Sequence, residues 1–314
     1  MIYVQCHIYY TPNMPFRYKF FGFIRTVMKL IALKLLQKFY QKIIPIKIRE
    51  KIKLGRKFHI DESLAKALPE YDYGYLKPNN TKMKLFLKDF VQRRIYLTGY
   101  HEKDESLALL DLFPAGGVFL DIGANIGTYS FMFYLKAKHI YAFEATKKTL
   151  DCLCETIQIN KIKNITPIFA AVHCTDGETI TIYADFPDNC GGNSMHIGRN
   201  IANTVKSITI DSWAMNNNIT DIAMIKMDIE GNEFNAFKGM KESLLKYRPI
   251  IFCELSPGGI KAAGSNILEL FNYVTEDCNY SAKILEKNKY KEIDKKYISE
   301  MSHNKNCYFF PKNV

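Results

Sequence analysis

Acidic side chains are almost missing from the first sixty residues. That stretch holds one, Glu50, against thirteen lysines and arginines, all between Arg17 and Lys57. Residues 61–314 hold 30 basic and 31 acidic groups, so a chain of net charge +11 divides into a +12 segment and a near-neutral body. A uniformly basic, polyanion-coating protein is therefore disfavoured. Clustered cysteines are also lacking. Of eight, only Cys152 and Cys154 are close neighbours, and no Cys-x-x-Cys pair occurs. That argues against a zinc ribbon or a disulfide framework, and leads us to expect reduced thiols in a cytoplasmic protein. No uncharged apolar run reaches the ~18 residues a spanning helix needs. Residues 1–16 are uncharged but are interrupted by Gln5, His7, Pro12, Asn13 and Pro15, and lack the basic lead of a secretory signal. No internal repeat or low-complexity tract is visible. Hydrophobic residues at 47% and charged residues at 24% are ordinary for a folded chain and exclude wholesale disorder.

The basic segment is most regular over Leu33–Ile44. At 100° per residue, Lys34, Gln37, Lys38, Gln41 and Lys42 share one arc of about 140°. Leu33, Leu35, Leu36, Phe39, Tyr40, Ile43 and Ile44 lie opposite, and Pro45 opposes continuation of the helix. Two readings stay open. Such a helix can pack on its own domain with a solvated Lys/Gln face, or residues 17–57 can rest on an anionic membrane, peripherally on its cytoplasmic side. Between 61 and 115 the chain mixes short patterns (Glu62–Leu68, Leu85–Tyr96, Glu102–Phe113) with breaks at Pro69, Gly74, Pro78 and Gly99. We place the boundary near 80, with an appendage over 1–80 and the main domain over 81–314.

From Gly117 onward short apolar runs alternate with helical stretches. Val118–Leu120 ends at Asp121 and is followed by a glycine-bearing turn and a helical stretch, Thr128–Lys136. His139–Phe143 ends at Glu144 before a helical stretch, Lys147–Asn160. Thr166–Val172 is a third run, Ile222–Met227 a fourth ending at Asp228, and Ile250–Cys253 a fifth ending at Glu254. The alternation predicts an α/β fold with a parallel sheet. Right-handed crossovers then bring the acidic strand ends to one edge, where open sheets of this kind bind ligands.

The turn Asp121-Ile122-Gly123-Ala124-Asn125-Ile126-Gly127 carries a carboxylate where a pyrophosphate site would avoid one. Glu144, at the next strand end, is spaced to take both hydroxyls of a ribose. A phosphate-free, cationic adenosyl ligand satisfies both acids, and S-adenosylmethionine is that ligand. Either acid alone would more often be a helix cap or a loop carboxylate.

Four ordered stretches carry a resemblance. Val118 through Ser130 (VFLDIGANIGTYS) is similar to the first motif of the FkbM-type S-adenosylmethionine-dependent methyltransferases. Tyr141-Ala142-Phe143-Glu144 resembles that family's second-strand motif, Ile225 through Glu233 (IKMDIEGNE) its fourth, and Arg248 through Glu254 (RPIIFCE) its fifth. Arg94 through Glu102 resembles the lead-in, and together these cover residues 93–256. One departure is Ala145, where the family usually has proline after the second-strand acid; a rigid turn is lost and the carboxylate kept. The resemblance implies a class I methyltransferase (Rossmann-like) fold: a seven-stranded, mostly parallel sheet with a reversed last strand, here preceded by a basic helical appendage. Ala282–Leu285 and Cys307–Phe310 are the candidates for strands six and seven. The set expected around the cofactor is Asp121, Gly123, Ala124, Asn125, Gly127, Glu144 and Ala171.

Methyl transfer to a hydroxyl calls for in-line alignment and a group to take the proton, or a metal. Asp228, Glu230 and Glu254 are the acidic candidates, with Glu233 nearby. An Asp228/Glu254 pair would suit Mg²⁺, although Asp228 could equally cap the next helix. His196 is the candidate histidine base, in a turn-rich segment, 185–203, that reads as a lid over the acceptor. The flanking runs Thr179–Ala184 and Val205–Ile210 read as an antiparallel excursion that shapes acceptor choice. Cys190 has no basic neighbour in sequence to activate its thiol. The leading expectation is an O-methyltransferase acting on a glycan, glycolipid or natural product. The alternatives are a nucleic-acid methyltransferase using the basic arm, disfavoured by the neutral body and the lack of an Asn-Pro-Pro-Tyr/Phe-type base clamp, and a non-catalytic binding protein on the same scaffold.

Overall fold

The computed structural model describes residues 69–184, 194–196, 198, 200–287 and 289–312. The helix expected over Leu33–Ile44, the pattern at Glu62–Leu68 and Cys190 lie outside them. The chain divides between Glu70 and Tyr71, so the second unit, Tyr71–Val314, starts ten residues ahead of the expected boundary. The ten additional residues supply β1 (Tyr71–Leu76) and the turn of a hairpin, with β1 paired against β2 (Thr81–Phe86). The stretch Leu85–Tyr96 is not one helix: β2 ends at Phe86, and α1 (Phe90–Thr98) begins where Asp89 caps the Gln92 amide at 2.8 Å. Gly99, at φ 79°, closes α1, and α2 (Lys103–Leu112) leads into the sheet.

Among the described residues the sheet has eight strands. β3 (Val118–Ile122) lies at its centre, parallel to β4 (His139–Glu144) on one side and to β9 (Met224–Met227) on the other. β5 (Ile165–Phe169) extends the β4 side. Beyond β9 comes parallel β10 (Ile250–Leu255), then antiparallel β13 (Lys305–Pro311), β11 (Tyr280–Glu286) and an edge strand, β12 (Lys289–Glu292). Leaving aside β12, the seven strands run third-second-first-fourth-fifth-seventh-sixth, with the last one reversed. Every residue of β3 and β9 is buried, as strands covered on both faces by crossover helices must be. Those helices include α3 (Thr128–Phe133) and α4 (Lys147–Asn160). On one face Leu120, Ile122, Ile225, Met227, Ile251 and Phe309 pack with Phe237 and Leu244 in the main core. On the other, Phe119 stacks on Phe133 at 4.7 Å between ring centroids and Phe113 meets both edge-on at 5.8 and 5.2 Å.

The third apolar run does not stay in one sheet. It breaks at Ala170, and β6 (Ala171–Val172) leaves to pair with β8 (Asn200–Ile208), itself antiparallel to β7 (Thr179–Ala184). This is the expected excursion, with β8 longer than the apolar run because its outer residues are exposed.

Candidate active site

A cleft of about 280 Å³ opens at the carboxyl ends of β3, β4, β9 and β10. Its floor is the glycine turn. The Gly123 and Ala124 amides both donate to the Phe143 carbonyl at 2.9 Å, tying the turn to β4. Gly123 has φ 72°, and a Cβ there would stand 1.9 Å from the Asp228 carbonyl oxygen, so the β3 and β9 loops can approach only with glycine. Glu144 closes the turn from the next strand. Its two oxygens accept from the Asn125 and Thr146 amides, each at 2.7 Å. Burial raises the Glu144 pKa above the ordinary carboxylate value, against the pull of those amides. Asn125, in the left-handed region at φ 53°, has a buried Oδ1 with no partner among the described residues. Gly123, Ala124, Asn125, Glu144 and Ala171 line the cleft together.

Asp121 and Gly127 do not line it. Asp121 is the penultimate residue of β3, fully buried, and its Oδ2 accepts from the Ser130 amide (3.0 Å) and hydroxyl (2.6 Å). It thus satisfies a free amide in the first turn of α3, whose own cap residue, Gly127, has no side chain to do so. Gly127, at φ 85°, packs against Phe131 and Leu153. Asp121 Oδ1 faces Lys226 Nζ at 3.7 Å. Lys226 is a residue that sequence reasoning passed over. It is buried in β9, donates to the Gly123 carbonyl at 2.6 Å, stands 3.9 Å from Asp228 and reaches the cleft wall. Burial works to lower its pKa, but Asp228, Asp121 and Glu144 together carry it above the usual lysine value. Lys226 is the charge that lets these carboxylates crowd.

The opposite wall is acidic. Asp228, Glu230 and Glu254 bring one carboxylate oxygen each to within 4.8 Å of one another. Burial first, then the charges of Asp228, Glu254 and Glu233, push Glu230 up to about 8. Burial and then Asp228 and Glu102 push Glu254 to about 7. At neutral pH the cluster can therefore share protons, or three oxygens can hold one divalent cation. Glu233 stays behind this wall. It is buried, its Oε1 accepts from the Ile229 and Gly231 amides at 3.2 and 3.1 Å, and burial takes its pKa to about 7. Gly231, at φ 108°, has no room for a Cβ against the backbone of Gly259.

His196 is exposed and outside the cleft lining; its neighbour Met195 lines the cleft instead. Ser194 donates to the Glu230 carbonyl at 3.0 Å and so pins this end of the excursion to the acidic loop. Two further groups were not anticipated. His101 and Glu102, from the lead-in before α2, reach the same cleft, and Tyr129 donates to Glu102 Oε2 at 2.8 Å. The motif reading quoted both residues without giving either a role, because no local pattern says where a lead-in will dock.

The strand order, the glycine turn beside a strand-end carboxylate and the cleft at the sheet edge define a Rossmann-like α/β fold of the class I methyltransferase type. The family model "Methyltransferase FkbM domain" matches residues 121–282, and the chain belongs to that family. It is 26% identical over 144 residues to the hexuronic acid methyltransferase AglP of Haloferax volcanii, a match covering 46% of this chain and 58% of that protein. Among solved structures it is similar to the methyltransferase FkbM of Methylobacillus flagellatus (20% identity, 63% of this chain and 44% of that one, TM-score 0.41). It is also similar to SMU.1697c of Streptococcus mutans, a methyltransferase-like protein crystallised with SAH (12% identity, 66% and 96%, TM-score 0.38). The chain thus spans little more than half of the curated relative and under half of the first of these structures.

Proposed function

We propose that the protein transfers the methyl group of S-adenosylmethionine to a hydroxyl of a glycan, glycolipid or natural product. The observation that carries this reading is a single cleft joining two unlike halves. One half is the glycine turn with Glu144 and the Asn125 Oδ1, which has no partner among the described residues; it suits the hydroxyls and donors of an adenosyl group. The other is a wall of Asp228, Glu230, Glu254, Glu102 and His101, groups that can bind and deprotonate a hydroxyl. The acidic surroundings also favour a cofactor bearing a sulfonium and an ammonium over one bearing phosphates. The relative named for hexuronic acid methylation supports a sugar acceptor. Residues 17–57 would hold the enzyme at an anionic membrane surface in the cytoplasm, where a lipid-linked sugar is presented.

The test has two parts. Calorimetric titration with S-adenosylhomocysteine should give a complex that Glu144→Ala weakens at least 100-fold, about 2.7 kcal/mol. Unchanged affinity in a folded variant removes Glu144 from the cofactor site. Tritiated-methyl transfer into a fractionated lysate should then label a base-stable O-methyl ether in the glycan or glycolipid fraction. Label appearing only in nucleic acid or protein would overturn the acceptor class.

A further inference from the structure

Beside the strand-end acids, the cleft wall holds a pair of neighbours in an unusual arrangement. Glu102 sits at φ 41°, ψ 60°, a left-handed conformation unfavourable for a side chain of this size, at the start of α2. Its Oε2 is held by the Tyr129 hydroxyl at 2.8 Å, and Tyr129 is itself buried in the first turn of α3. His101 Nε2 stands 3.9 Å from the same Oε2. That is too long for a hydrogen bond between them. The other ring nitrogen, Nδ1, is buried with no partner among the described residues.

These facts set the polarity of the ring. Burial lowers the His101 pKa, against the attraction of Glu102 and Asp228 and with the help of Lys226 and Arg94, so the imidazole is neutral and carries one proton. A buried N–H without an acceptor is costlier than a buried lone pair without a donor. The proton therefore belongs on Nε2, the nitrogen beside Glu102. The pair then offers one donor and one acceptor across 3.9 Å. A hydroxyl oxygen about 2.7 Å from the carboxylate and about 2.9 Å from the nitrogen fits that gap, with an angle of roughly 90° at the oxygen.

We infer that His101 and Glu102 form the acceptor-hydroxyl clamp, in which Glu102 takes the hydroxyl proton during methyl transfer and the His101 Nε2–H orients the attacking oxygen. The inference rests on the O-methyl reading above. The hydroxyl donates to Glu102, accepts from His101 and keeps a lone pair for attack. As its bond to the methyl carbon forms, the carbon–sulfur bond breaks with its electron pair left on sulfur, giving a neutral thioether. The O–H proton passes to the Glu102 carboxylate. The strained backbone and the Tyr129 hydrogen bond hold that carboxylate ready, so Tyr129 is a positioning residue.

The experiment compares the full-length protein with Glu102→Gln and His101→Gln, in S-adenosylhomocysteine titration and in tritiated-methyl transfer. Glu102→Gln should keep cofactor affinity within twofold and lose about 10²- to 10⁴-fold in kcat, the usual range for a lost general base. His101→Gln should lose about tenfold or more in kcat/KM at the same cofactor affinity. A Glu102→Gln enzyme within threefold of wild-type turnover would overturn the clamp. Nitrogen NMR of wild-type protein labelled at histidine needs no acceptor and uses a variant only to assign the signal. It should show His101, assigned through His101→Gln, as the Nε2–H tautomer at pH 7, and an imidazolium or an Nδ1–H tautomer refutes the hydrogen-bond polarity. Wild-type label appearing as N-methyl groups would overturn the O-methyl reading and the clamp with it, whereas O-methyl label with unimpaired Glu102→Gln turnover, or the wrong tautomer, overturns the clamp alone.

Discussion

Replacing Lys226 by methionine removes the positive charge around which the site is folded while keeping much of the side-chain volume. In the wild type, Asp121 is completely buried, its Oδ2 is committed to Ser130, and among the described residues its Oδ1 has only the lysine ammonium, 3.7 Å away. The side chains of Lys226 and Asp121 are 5% and 0% exposed, so solvent cannot replace the lost partner. Breaking a buried pair from one side leaves an uncompensated charge and costs about 3–5 kcal/mol. For a unit of this size that is a fall of roughly 6–20 °C in melting temperature. The second substitution isolates the cause. Asp121→Asn retains a carbonyl oxygen for the Ser130 amide and removes the negative charge. The double variant Lys226→Met/Asp121→Asn should therefore recover most of the loss, giving a coupling of about 2 kcal/mol or more. Scanning calorimetry of the four proteins closes the cycle. If Lys226→Met melts within 2 °C of wild type, or if the two losses simply add, the pair is not the counter-charge described here.

Glu230, Glu233 and Glu254 have pKa values raised to about 8, 7 and 7, chiefly by burial. Between about pH 4.5 and 8 the folded state thus holds more protons than the unfolded one, and stability falls as pH rises through 7 to 8. Melting temperatures measured from pH 5 to 8.5 should decline, and Glu233→Gln should flatten the decline; a curve that rises over this range contradicts the assignment. Because the acidic cluster can carry protons in place of a cation, methyl transfer should survive excess chelator. Loss of activity with recovery on Mg²⁺ would instead put a metal on Asp228, Glu230 and Glu254. Removing residues 1–60 should leave S-adenosylhomocysteine affinity unchanged and abolish flotation with anionic vesicles. Weakened cofactor binding in a folded truncation would make the basic segment part of the catalytic unit.

Much of the scaffold was legible because buried parallel strands announce themselves. Val118–Leu120 and Ile222–Met227 are apolar runs, and each strand-end acid marks the shared edge. The helix over Lys147–Asn160 keeps the limits its pattern gave. The break at Ala170 was not legible, since Ala171 and Val172 are as apolar inside a second sheet as in the first.

The division of labour among the acids escaped sequence reasoning for a geometric reason. Asp121 and Glu144 look equivalent, each closing an apolar run, but Asp121 lies one residue inside β3 whereas Glu144 is the last residue of β4. Asp121 pairs with Ala142, so Glu144 stands on the same face of the sheet but two residues further along, and that offset leaves Asp121 under the first turn of α3 while Glu144 reaches the cleft. Lys226 left a fainter mark, a charge inside the fully buried strand Met224–Met227. A charge in that position needs a partner, and the partner must come from a neighbouring strand, so register decides which acid it meets. Leu120 opposite Ile225 and Asp121 opposite Lys226 is the pairing found. Given parallel pairing of β3 with β9, the lysine and the first-motif aspartate were the buried charges available to each other, more than a hundred residues apart in the chain. His101 and Glu102 had no such constraint. They lie outside the sheet, and what brings them to the cleft is Tyr129 in the first turn of α3, a contact made by tertiary docking alone.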